Sequence, residues 1–85
     1  MEIVTHKSRQ TGIVTHHEYR GVYLKPYGKG IEVTKHYWHG SYRSLFFADI
    51  AEATKQIDYL LDVETLVSYS SCDGFIYVEK EKSNA

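Results

Sequence analysis

Five histidines, at positions 6, 16, 17, 36 and 39, are the residues of this chain best suited to chemistry, and all lie in its first half. His36-x-x-His39 and the adjacent His16-His17 look like metal-ligand pairs that Cys72 or Asp73 would complete to four. Residues three apart on a strand point to opposite faces, however, and His39 is needed in a turn. The histidines therefore read as surface and sheet-face residues, and no metal is expected. A cysteine nucleophile needs a base and a lowered thiol pKa, whereas Cys72-Asp73-Gly74 sets a carboxylate beside the sulfur, which raises it. Gly28-Lys29-Gly30 lacks the spacing of a phosphate-binding loop and opens a strand instead of a helix. Asp58 and Asp62 stand one helical turn apart near a helix end, where solvation accounts for them. No catalytic residue and no cofactor are assigned, and the expected function is non-enzymatic.

What remains is a set of rings interleaved with cations: Tyr19, Arg20, Tyr23, Lys25, Tyr27, Lys29, Lys35, His36, Trp38 and Arg43. Single-stranded nucleic-acid platforms combine stacking rings with phosphate-binding cations in this way, and protein-binding hot spots use the same residue types. Net charge separates the two, because nucleic-acid modules are normally basic and this chain carries −1. The expected partner is a protein, either a second copy in a homodimer or another chain. Nucleic acid is the second choice. The expected binding face is Tyr19, Tyr23, His36, Trp38 and Arg43.

Those residues need strands to hold them. Tyr19–Lys25, Ile31–Trp38 and Ser41–Phe47 are rich in β-branched and aromatic residues, with glycines at Gly28, Gly30 and Gly40 between them. Pro26 opposite Ile31 and Trp38 opposite Ser41, with His39-Gly40 as a two-residue tip, set the register. Val22, Leu24, Ile31, Val33, Tyr37, Tyr42 and Phe46 then share the core face, and Tyr19, Tyr23, Thr34, His36, Trp38, Arg43 and Leu45 the other. Asp49 with Glu52 three residues on forms a capping box, and Ile50, Ala53, Ile57, Leu60 and Leu61 recur at helical spacing, predicting a helix over about residues 50–61. Thr65–Ser70 and Phe75–Lys80 flank Asp73-Gly74, a tight-hairpin signature. Near the N-terminus Ile3-Val4-Thr5-His6 is echoed by Ile13-Val14-Thr15-His16, with Ser8-Arg9-Gln10-Thr11-Gly12 as a turn between them. The echo reads as reused strand vocabulary. The expected fold is α+β in two layers, a mainly antiparallel sheet of about four to six strands packed on one helix, in the order strands, helix, hairpin.

Tyr19-Arg20-Gly21, Gly28-Lys29-Gly30 with Val33, and Ser44–Ala53 closing on Ile57-Asp58 resemble the layout of short uncharacterised proteins carried by phages, prophages and other mobile elements, a β-meander followed by a capped helix. The resemblance covers about half the chain, and its motifs are turns and caps. It implies an accessory protein of a mobile element and transfers no catalytic residue.

Composition bounds the rest. At 85 residues, with 42% apolar residues, the chain reads as one small domain over 1–80 with a polar tail at 81–85. Such a domain buries only about 60% of its unfolded surface, so its core is thin. One cysteine allows no internal disulfide, and no signal-like segment follows Met1, so a reducing cytoplasm is expected. No apolar run approaches the roughly 20 residues of a membrane span. The near-neutral charge is a cancellation, +4 through Arg43 and −5 from Ser44 onward.

Overall fold

Two of the chain's turns place left-handed backbone at both central residues, and these turns decide which way the flanking strands face. Arg20-Gly21 (φ 53° and 81°) and Asp73-Gly74 (φ 52° and 84°) each join strands through a two-residue loop of the type that matches strand twist. The computed structural model describes residues 2–62 and 67–81. Its elements are β1 (Val4–Lys7), β2 (Val14–Tyr19), β3 (Val22–Tyr27), β4 (Gly30–Tyr37), β5 (Tyr42–Phe47), α1 (Ile50–Asp62), β6 (Val67–Cys72) and β7 (Phe75–Glu81). The expected tail therefore continues β7 as far as Glu81; residues 82–85, with the 63–66 connection, lie outside the described residues.

The expected two-layer stack, a mainly antiparallel sheet packed on a helix, is overturned. The strands form a mixed sheet curled into a half-barrel, with order β1-β2-β3-β4-β7-β6 and β5 added on β4. The cause is β7. The β3–β4 ladder covers only the pairs Lys25–Glu32, Pro26–Ile31 and Tyr27–Gly30 beside its turn. Farther along, Lys35, His36 and Tyr37 pair in parallel with Ile76, Tyr77 and Val78, while Tyr23 N donates to Gly74 O and Gly74 N to Gly21 O. Parallel pairing after a helical crossover lies beyond what local turn signals report.

Two register differences follow from turn length. Tyr19–Lys25 is broken by the Arg20-Gly21 turn, so Tyr19 pairs with Val22 and shares its core face. The loop after β4 has three residues, Trp38-His39-Gly40, closed by Tyr37 N donating to Ser41 O at 2.9 Å, with Gly40 at φ 93°. One residue more than expected pairs His36 with Tyr42 and turns every side chain of β5 over. Leu45 and Phe47 pack on the core, whereas Tyr42 and Phe46, expected inside, stand 61% and 58% exposed on the outer face.

The core is Val22, Leu24, Ile31, Val33, Ile76 and Val78 from the sheet with Ala53 and Ile57 from α1. The helix begins as its cap dictates, Glu52 N donating to Asp49 Oδ1 at 2.8 Å and Glu52 Oε2 accepting from Ala48 N at 3.1 Å. Ile50, Leu60 and Leu61 flank the buried pair. No basic residue lies in its last turn. Arg20 supplies that charge from the β2–β3 turn, donating to Asp58 Oδ1 at 2.9 Å and to both Asp62 oxygens at 3.0 and 2.8 Å. Among the described residues no helix is long and apolar enough to cross a membrane.

Tyr19 Oη also donates to Asp58 Oδ1, at 2.7 Å. That bond first, and Arg20 second, hold the Asp58 carboxyl below its ordinary pKa. An unfolded aspartate titrates near about 3.9. Since the folded value is the lower one, the stabilisation is complete above the unfolded value and is lost as pH falls through the folded one. The thermal midpoint of Tyr19→Phe is expected to drop less than the wild type's between about pH 5 and pH 2. Equal drops in the two proteins would remove this bond as a cause.

Candidate functional site

Alternation along the strands sends one set of side chains toward α1 and the other outward, and the outward set is rich in rings. On β4, His36 sits between Tyr42 of β5, 4.4 Å away between ring centroids, and Tyr77 of β7, 5.3 Å away. Phe75 lies 6.3 Å from His36 and at right angles to Tyr77. Tyr27 and Phe46 form a second contact at 5.0 Å beside the β3–β4 turn. Burial holds the Tyr77 phenol protonated above its ordinary pKa.

A third group occupies the β1–β2 hairpin. The β1–β2 register sets His6 directly opposite His16, with their rings stacked at 4.4 Å, and Tyr23 packs on His16 at 4.1 Å. Glu18, two residues along from His16 on the same face, brings Oε1 to 3.1 Å from His6 Nε2. The ladder shifts register between His6 and Lys7, leaving Thr15 as the extra residue of a bulge. Thr15 Oγ1 donates to the His6 carbonyl at 3.1 Å and lies 3.2 Å from His16 Nδ1. Burial first, and the neighbouring His6 second, lower the His16 pKa, favouring its neutral form.

The five residues of the expected face are not brought together. Tyr23 and His36 do lie on the outer face, in separate ring groups. Tyr19 is on the core side, bonded to Asp58. Arg43 pairs with Lys35 on that same side. Trp38 stands at the β4–β5 loop, 62% exposed, with its N–H backbone group donating to Val78 O. The cations expected to interleave with the rings disperse as well. Arg20 is tied to the helix, and Lys35 stands over Tyr37 and Tyr69 on the core side. Lys25, over Phe75, shares the outer face with Glu18 and Glu32.

Among the described residues neither His36 with His39 nor His16 with His17 joins Cys72 or Asp73 in a group of three ligands; His36 Nδ1 lies 3.2 Å from the Tyr37 carbonyl and His39 Nδ1 3.1 Å from Ser41 Oγ. Sequence reasoning missed Tyr42, Phe46, Phe75 and Tyr77 as outer-face rings, and it missed His6, His16 and Glu18 as a group. No local signal showed the last: a direct repeat folded into a hairpin runs antiparallel to its copy, so Thr5 meets His17 and Val4 meets Glu18, and the extra residue Thr15 is what sets His6 opposite His16. Compared with known proteins, the chain matches no family model, no curated protein and no solved structure.

Proposed function

We propose that this chain is a non-enzymatic interaction domain that forms a homodimer through the outer sheet face and the adjoining edge of β5. The observation that carries the reading is the state of β5. Among the described residues it pairs only with β4, leaving its other edge open, and its outward side chains Tyr42 and Phe46 are more than half exposed. An open strand edge is a template for a further strand, and exposed rings beside it supply the apolar area and rigid contact that make association specific. Among the described residues only eight apolar side chains are buried, and so small a core favours burying more surface in a partner. A second copy suits a surface that mixes Lys25 with Glu18 and Glu32 on a chain of net charge −1, whereas a polyanion does not. The turn-and-cap layout of residues 19 to 60 supports an accessory role on a mobile element within the same reading.

Sedimentation of the wild-type chain at micromolar concentration is expected to give twice the 9.8 kDa chain mass, and Phe46→Ser with Tyr42→Ser the single mass, at unchanged far-UV circular dichroism. A wild type that sediments as one chain, or a double variant that still pairs, overturns the proposal.

A further inference from the structure

Among the described residues one group of three side chains has the donor types and spacing of a cation site, and it lies outside the β5 surface. His6, His16 and Glu18 each offer one ligand atom, and these atoms all lie within 4.8 Å of one another. All three are on one face of the β1–β2 hairpin, two from directly opposed positions and the third two residues along. Two ligands about 2.1 Å from one tetrahedral ion stand about 3.4 Å apart. His6 Nε2 and Glu18 Oε1, at 3.1 Å, are already close to that separation.

A second observation is independent of the spacing. Among the described residues His16 Nε2 is buried and has no hydrogen-bond partner. Buried polar atoms are nearly always paired, so an orphan one asks for a ligand. Its ring partner explains which form it takes. Thr15 Oγ1 spends its proton on the His6 carbonyl, so toward His16 it accepts, which places the imidazole proton on Nδ1 and leaves Nε2 with a free lone pair. A ligating histidine commonly has its second nitrogen held in this way. The bulge that makes Thr15 available, and the Tyr23 ring beneath His16, fix the ring's position.

We propose that His6, His16 and Glu18 bind one divalent transition-metal cation of the zinc class, with the remaining coordination positions open to solvent. Two imidazoles and a carboxylate suit a borderline-soft cation and exclude magnesium and calcium, which take oxygen sets. His6 and Glu18 side chains are 41% and 36% exposed, so water or a donor from a bound molecule has access to the ion. The hairpin joins the rest of the sheet through only three β2–β3 pairs, and the ion would cross-link its two strands.

Tag-free protein, stripped with chelator, is titrated with zinc by calorimetry and with cobalt(II) by visible absorption. One equivalent of zinc per chain and d–d bands of a four- or five-coordinate cobalt ion are expected. His6→Ala, His16→Ala and Glu18→Gln should each weaken binding about tenfold or more, with far-UV circular dichroism unchanged. His17→Ala and His39→Ala should bind as the wild type does. No stoichiometric binding in the micromolar range overturns the site, as does binding that survives the His6→Ala/His16→Ala double variant. Should a single alanine variant unfold, Glu18→Gln alone decides, because it keeps the shape and removes the charge.

Discussion

Replacing Ile57 by alanine is expected to cost about 2–5 kcal/mol of stability. Ile57 is 1% exposed and joins α1 to the sheet core formed by Val22, Leu24, Ile31, Val33 and Ile76. Truncation removes the transfer free energy of three carbons and leaves a cavity that a half-barrel held at its rim by hydrogen-bonded strands cannot close. An 85-residue domain has about 4–13 kcal/mol in total at the usual stability per residue. The loss is thus a large share of the whole. Urea titration should show a midpoint lowered by more than about 1 M at an unchanged slope. A loss below about 1 kcal/mol would mean that α1 does not seat against the sheet as described. The neighbouring Thr54 is buried too, but its hydroxyl donates to the Ala51 carbonyl at 3.0 Å, so Thr54→Ser should cost much less.

Gly74→Ala is expected to be nearly as damaging for a different reason. Its φ of 84° is left-handed, and a Cβ there would lie 2.5 Å from Cδ2 of the Tyr23 ring. The backbone term is about 1–2 kcal/mol and the overpacking term about 1–3 kcal/mol. The ring cannot swing freely, because it carries His16 at 4.1 Å on its other side. Moving it disturbs the two bonds that splice the β6–β7 turn onto β3, Tyr23 N to Gly74 O and Gly74 N to Gly21 O. A melting midpoint lowered by more than about 8 °C checks this for a domain of this size. Gly28→Ala makes the informative control, since its φ of 57° imposes the backbone term while nothing lies within 4 Å of the added carbon. If the two variants melt alike, the Tyr23 contact carries no energy.

The two substitutions report on different kinds of information in the chain. Ile57 was legible as core, because helical spacing and the Asp49–Glu52 cap are local patterns, and α1 runs Ile50–Asp62 against an expected span of about residues 50–61. The Pro26–Ile31 register and the Asp73-Gly74 hairpin were legible for the same reason. Gly74's closeness to Tyr23 was not legible. It depends on β7 entering beside β3 and β4, a placement set by pairing across some fifty residues.

The candidate face divides along the same line. Residue types alone identified a ring-rich face, expected to be interleaved with cations that the structure instead disperses, and the outward position of Tyr23 and His36 followed from strand alternation. Turn length then decided the rest. One additional residue in the Trp38-His39-Gly40 loop turned Tyr42 and Phe46 outward and Arg43 inward. An unanticipated turn at Arg20-Gly21 carried Tyr19 to the core side and aimed Arg20 at Asp58 and Asp62, which spacing had left to solvent. Because side chains alternate with period two, each such single-residue difference moves a whole strand's chemistry to the other face.

The sequence by itself determined the local elements: the capped helix, the glycine turns and the β-branched strands. Only the tertiary structure decided that the sheet curls around a parallel β4–β7 pair, that Arg20 closes the helix end, that a bulge sets His6 opposite His16, and that His16 Nε2 is buried with no partner among the described residues. Local patterns are written in neighbouring residues. Curvature, cross-strand ligand groups and distant ion pairs depend instead on which strands meet and in what register, and that is settled by the balance of burial over the whole chain.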